Sequence, residues 1–255
     1  MKKYLLYIVL IISIIYSLIV SVYCLKEDVI ETPTTEHQTF LDLSSYYIGN
    51  TQSPINLLTN RTQEKEHTLE LMINDKVKEV ENEEHTVKLE LENGNYIESD
   101  GKKYEIIQIH FHTPSEHHID GIEYPMEMHI VSAEIDKKED KKLLVLGAFF
   151  KMGNQNEFIE DFIQLIPEKE HTKKNVEGKN FHLKEFFCNE KETLKKLYHY
   201  NGSLTTEPYS ENVEWCILSH VFEASPKEID RLNKIIGKND RHIQEKDLLT
   251  ASFNH

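Results

Sequence analysis

From about Thr39 onward, apolar and polar residues alternate in short runs broken by polar turns. That is the period-two pattern of strands with one buried face. Thr86–Leu91 alternates, Asn93-Gly94 is a turn pair, and Tyr96–Glu98 continues the pattern. Asp100-Gly101 turns the chain again, and Lys103–His112 runs on as a longer strand. Leu143–Phe150 is apolar throughout, as expected of a central strand covered on both faces. Asn156–Leu165 and Ser225–Ile236 have helical spacing. In the second of these, Ser225-Pro226 followed by Glu228 predicts a capped helix start. Glu168–Lys179 is charged and reads as a loop. The pattern contains no internal repeat and predicts a mostly β single domain with a few short helices.

Two of these strands carry candidate chemistry: Gln108-Ile109-His110-Phe111-His112 and Glu127-Met128-His129-Ile130-Val131. Alternate side chains of a strand point to opposite faces. Gln108, His110 and His112 therefore share one face, as do Glu127, His129 and Val131. The intervening positions (Ile107, Ile109 and Phe111; Met126, Met128 and Ile130) are apolar and suited to a core on the other side. If the strands pair, three imidazoles converge, with Gln108 and Glu127 beside them to accept ring N–H groups. Three neutral His with an open fourth position describe a catalytic zinc site, and the polar neighbours orient its ligands.

Composition narrows the setting. The 255 residues suffice for one large all-β domain, and a hydrophobic share of 39% supports a core. A formal net charge of −15 argues against nucleic acid and anionic membrane surfaces as partners. The three Cys (Cys24, Cys188, Cys216) lack any zinc-type spacing, so a metal here is held by His. At the N-terminus, Met1-Lys2-Lys3 precedes an uncharged run, Tyr4–Tyr23. Residues 1–24 are expected to be either a cleaved signal peptide or an uncleaved anchor, and both leave the rest exported to the periplasm or outside. Residues 25–38, acidic and Thr-rich, read as a linker, with the domain spanning 39–255. The membrane is then a partner only through the N-terminal segment. Asn60-Arg61-Thr62 is a glycosylation sequon, meaningful in a eukaryotic host.

Four separated segments resemble the α-class carbonic anhydrases, especially their bacterial-type members. They are Gln52–Leu57, Gln108–Val131 (with Thr113-Pro114-Ser115-Glu116-His117-His118), Asn201–Pro208 and Asn239–Gln244, in the family's order. The resemblance covers roughly Phe40 to Gln244. It implies a large, mainly antiparallel ten-stranded sheet with short peripheral helices, a Zn2+ cofactor, and reversible hydration of carbon dioxide to bicarbonate by a zinc-bound hydroxide. By the same resemblance His110, His112 and His129 bind the metal. Gln108 orients His110, Glu127 orients His129, and the backbone carbonyl of Asn239 accepts from His112. Thr205 accepts the hydroxide's proton and donates its own to Glu116. Val131, Val145, Leu204, Thr206 and Trp215 form the substrate pocket. His117, Tyr200 and Ser53 match a buried hydrogen-bonded group.

The chain also departs from the family pattern. The proton-shuttle His of an Asn-Gly-His motif is matched to Asn95, after Asn93-Gly94, which cannot ionise. The expectation is slower turnover that rises with imidazole-type buffer. The family's aromatic segment upstream of Gln52 is missing, Glu207 replaces a proline, and Cys216 reads as a buried free thiol. The rival reading is a surface-displayed binding or adhesion module on the same fold. Retention of all three His with Thr205 and Glu116 favours the enzyme.

Overall fold

The computed structural model describes residues 51–135, 141–188, 193–244 and 251–254. The Tyr4–Tyr23 run and the 25–38 linker lie outside the described residues. In chain order the strands are β1 (Asn56–Leu57), β2 (Gln63–Glu64), β3 (Leu69–Met72), β4 (Val77–Asn82), β5 (Val87–Leu91), β6 (Tyr96–Ser99), β7 (Lys102–His112) and β8 (His118–Ile119). They continue with β9 (Ile122–Glu123), β10 (Met126–Glu134), β11 (Leu143–Met152), β12 (Thr172–Asn175), β13 (Leu197–Gly202), β14 (Val213–Ala224) and β15 (Ser252–Asn254). Among the described residues three α-helices join them: α1 (Glu157–Ile163), α2 (Leu183–Cys188) and α3 (Pro226–Ile236).

Ten strands follow one path, β12-β4-β5-β7-β10-β11-β14-β13-β15-β2, and β6 and β3 branch from β7 to make a twelve-stranded sheet. Neighbours are antiparallel except β11 with β14 and β15 with β2, so the sheet is mixed but mainly antiparallel. The loop expected over 168–179 is corrected in part, because Thr172–Asn175 pairs with β4 at the sheet's edge. Its residues are largely exposed, so no apolar alternation marked it.

The sheet separates two apolar layers. On one face Ile109, Phe111, Met126, Met128, Ile130, Leu144 and Leu146 pack against α1, α2 and α3. On the other, Val131, Val145, Phe149, Trp215 and Ile217 form a smaller cluster. Asn156 caps α1 through Ile159 N–H, and Ser225 and Glu228 form a reciprocal capping box on α3. The Glu228 carboxylate also accepts from Asn156 N–H at 3.1 Å, which ties the two helix starts together.

A β-bulge in β7 decides which side chains reach the site. Gln108 pairs with Val131 and Ile106 with Ser132, which leaves Ile107 as the extra residue. Tyr104 and Ile106 therefore face the same core as Ile109 and Phe111, although their sequence parity differs. An unbroken strand would turn Tyr104 and Ile106 to the other face, forfeiting roughly 1.5–3 kcal/mol for each large apolar side chain. Ile107 itself is 46% exposed, which corrects the expectation that it fills the core.

Candidate metal centre

β7 and β10 pair with His110 opposite His129 and Glu127 opposite His112. One nitrogen from each of His110, His112 and His129 lies within 4.8 Å of the others. The outward nitrogens are already engaged. His110 Nδ1 is 3.2 Å from Gln108 Oε1, His112 Nδ1 is 3.3 Å from the Asn239 carbonyl, and His129 Nε2 is 2.8 Å from Glu127 Oε1. With neutral rings these contacts put protons on the outward atoms and leave lone pairs on His110 Nε2, His112 Nε2 and His129 Nδ1.

The donor set fits a metal ion. His110 Nε2 and His129 Nδ1 lie 3.3 Å apart, close to the ~3.3 Å that tetrahedral geometry implies for Zn–N bonds of about 2.0–2.1 Å. Two lone pairs that close repel unless a cation or a proton stands between them. His112 Nε2 is buried and has no hydrogen-bond partner, an arrangement that structures avoid unless something else satisfies the atom. Burial, followed by the neighbouring His rings, pushes His110 well below the usual imidazole range. Burial likewise lowers His112, against the pull of Glu116. Burial also presses on His129, but the Glu127 carboxylate outweighs it and raises that ring.

Glu127 is fully buried and accepts four hydrogen bonds. Oε1 takes His129 Nε2 and His117 Nδ1 at 2.8 Å each, and Oε2 takes the backbone N–H groups of Glu116 and His117 at 2.9 Å each. Burial would raise its pKa, yet His117 and His129 hold it well below the carboxylate range. Beyond it, His117 Nε2 is 2.6 Å from Tyr200 Oη, which is 3.0 Å from Ser53 Oγ. Gly147 sits opposite His129, where a Cβ would meet Ile217 Cδ1 at 2.5 Å and Glu127 Oε1 at 3.2 Å. Asn239 is pinned from three sides: Oδ1 accepts Thr113 N–H at 2.9 Å, and Nδ2 donates to the carbonyls of His85 (2.7 Å) and Phe111 (3.0 Å).

The three His stand in a cavity of about 390 Å³, whose lining includes Gln108, Val131, Val145, Leu204, Thr205, Thr206, Trp215 and Asn239. Glu116 is buried behind it, with Oε1 accepting Arg241 N–H at 2.9 Å. Its Oε2 takes no hydrogen bond, so the expected Thr205–Glu116 bond is not made here.

The position matched to the proton shuttle requires correction. Asn95 does not line the cavity and is fully buried. Its Oδ1 accepts Asn74 N–H at 2.8 Å and its Nδ2 donates to the Glu92 carbonyl at 2.7 Å, so the side chain pins a turn. His85 lines the cavity instead, together with Glu83, Thr86 and Lys88. It follows Glu84, whose φ of 69° is a conformation that favours glycine. The signal was present in Asn82-Glu83-Glu84-His85, but the literal Asn-Gly pair further on was the more obvious match.

Fold and site together define a β-sheet protein with a three-imidazole centre at the base of an apolar-walled cavity. The eukaryotic-type carbonic anhydrase family model matches residues 38–253. A carbonic anhydrase of Pectobacterium atrosepticum is 30% identical over 204 residues, 80% of each chain. One from Nostoc sp. is 33% identical over 159 residues, 62% of this chain and 57% of that protein. The α-carbonic anhydrase of Thermovibrio ammonificans, solved with the inhibitor sulfanilamide, superposes with a TM-score of 0.73 at 30% identity, over 85% of this chain and 93% of that one. The chain therefore belongs to the eukaryotic-type, α-class carbonic anhydrase family, enzymes that interconvert carbon dioxide and bicarbonate.

Proposed function

We propose that this chain is a zinc-dependent carbonic anhydrase with its own proton-exporting imidazole. The observation that carries the reading is the convergence of three imidazole nitrogens, each with its opposite nitrogen engaged, beneath the apolar wall. His110, His112 and His129 would hold the ion. A zinc ion there supplies Lewis acidity, lowering the pKa of a water from 15.7 to about 7.

The remaining tasks belong to the chain. Val131, Val145, Leu204 and Trp215 offer carbon dioxide, which is apolar and uncharged, a greasy surface that requires no ion pair. Thr205 orients the attacking oxygen by accepting a hydrogen bond from it. The open Oε2 of Glu116 is suited to take the Thr205 hydroxyl proton, a contact of the kind that tightens only once substrate is bound. Thr206 shapes the same wall. His85, at the mouth, receives the released proton, which the Asn95 carboxamide could not carry. This replaces the expectation of buffer-limited turnover.

The test is stopped-flow carbon dioxide hydration by the purified chain, with and without a zinc chelator, across a buffer series. Chelator-sensitive hydration is expected. In His85→Ala, the rate in dilute buffer should fall and then recover with imidazole, while Asn95→His should gain nothing. Stoichiometric zinc without hydration would refute the reading and leave a binding module. We also infer that the domain lies on the non-cytoplasmic side, supported by Lys2 and Lys3 ahead of Tyr4–Tyr23. Protease added to intact cells or, where an outer membrane encloses a periplasm, to spheroplasts should reach it there, and protection in both would overturn the inference.

A further inference from the structure

We propose that Glu84 and His171 extend the proton path beyond His85, as a three-group relay on the protein surface. The proposal rests on the reading of His85 as the proton carrier. His85 Nε2 lies 3.7 Å from Glu84 Oε1, and His171 Nε2 lies 3.3 Å from Glu84 Oε2. One carboxylate thus stands between two imidazoles, the first at the cavity mouth and the second on the loop that leads into β12. Both outer rings are open to solvent, with side-chain exposures of 81% for His85 and 70% for His171.

The backbone argues that this grouping is built. Glu84 and His171 both hold left-handed conformations, with φ of 69° and 55°. A side chain with a Cβ adopts that region only at a cost. Among the described residues the other non-glycine cases are Asp75, Asp100, Asp120 and Tyr209. Aspartate and histidine are among the side chains that enter this region most readily, whereas a glutamate placed there is compensated elsewhere. One buried residue fixes both. Asn82 Oδ1 accepts Glu84 N–H at 3.1 Å, and the Asn82 carbonyl accepts His171 N–H at 2.7 Å. Of the neighbouring carboxylates, Glu83 and Glu81 meet Lys88 and Glu79 meets Lys173, while Glu84 is the one placed against both rings.

The proton balance is simple. A proton arriving on His85 leaves Nε2 for Glu84 Oε1, across a 3.7 Å gap that rotation of the two exposed side chains closes to hydrogen-bond distance. The protonated Glu84 carboxyl turns about its Cγ–Cδ bond to bring that proton to His171 Nε2, 3.3 Å from the carboxylate, and His171 gives the same proton from Nε2 to buffer. Each group returns to its starting state, and dehydration runs the relay in reverse. Three exchangeable groups present a larger target to dilute buffer than His85 alone, which matters when buffer encounter limits turnover.

Glycine substitutions make the test clean, because glycine prefers both backbone conformations and should not endanger folding. Glu84→Gly and His171→Gly are made in the full chain, and carbon dioxide hydration is followed against buffer concentration. The expectation is a severalfold lower kcat in dilute buffer, less than the roughly 10²–10⁴-fold that a positioned acid–base group contributes. kcat/KM should be unchanged, and saturating imidazole should restore kcat. Wild-type kinetics for both variants at every buffer concentration would overturn the relay alone, provided His85→Ala remains buffer-sensitive. An inactive wild type, or an inert His85→Ala, would overturn the relay together with the reading beneath it.

Discussion

Replacing Glu127 with Gln tests whether this carboxylate serves the metal or only the fold. Gln keeps the volume but exchanges one acceptor oxygen for an NH2 group, and all four groups around Glu127 are donors. The amide has two orientations. With NH2 toward Glu116 and His117 N–H, two buried backbone donors lose their acceptor, at about 1–3 kcal/mol each. With NH2 toward the rings, the imidazoles adapt by moving their protons, which a backbone amide cannot do. The second orientation costs less, and it drives the His129 proton from Nε2 to Nδ1, into the space where the three nitrogens converge. The variant is therefore expected to fold while losing zinc. Removing a partner of a metal ligand typically costs 10–100-fold in affinity, and an inverted tautomer belongs at the upper end, about 100-fold or about 2.7 kcal/mol. Competition against a chromophoric chelator reads the zinc Kd, and circular dichroism reads the fold. A folded Glu127→Gln chain with wild-type zinc affinity would refute the reasoning.

Two further predictions concern stability. A Cβ at Gly202 would lie 2.2 Å from Ser53 Oγ, 2.8 Å from Tyr200 Cε2 and 2.9 Å from Trp215 Cδ1. Gly202→Ala should therefore cost about 1–3 kcal/mol by overpacking, and an unchanged denaturant midpoint would refute this. The chelator-treated chain should lose stability as pH falls below about 6.5, the unfolded imidazole value. Burial lowers His67, His110 and His112, so below that pH the unfolded chain binds protons that the folded chain refuses. His129 and the exposed His182 are raised by Glu127 and Asp161 and contribute the opposite sign, present at low pH and lost as pH rises through their folded values. Three lowered rings outweigh two raised ones, and one of those two is screened by solvent. Glu127, held well below its unfolded value, adds a loss only at more acid pH. A melting temperature flat from pH 7 to 5 would contradict the sum.

The convergence of the three imidazoles was legible because its information is local. Parity within β7 and β10 places His110, His112, Gln108, His129 and Glu127, and only the pairing of two strands joined by one loop had to be assumed. Ile107 was misread because a bulge shifts parity with no residue to announce it. Its backbone answers to the register across β10, which is a property of two strands. The shuttle position failed for a related reason. Asn93-Gly94-Asn95 and Asn82-Glu83-Glu84-His85 are both turns beside β5, at its two ends, and only the sheet shows which end opens on the cavity. Gly94 suited the pattern by composition, whereas Glu84 meets the same backbone requirement against its own preference. A residue that holds a conformation it disfavours, between two imidazoles at the mouth of a cavity, is a more informative signal than a glycine in a turn where any protein would put one. Residue types offered Asn82-Glu83-Glu84-His85 as a second match, but what ranks it above the first lies in dihedral angles and distances.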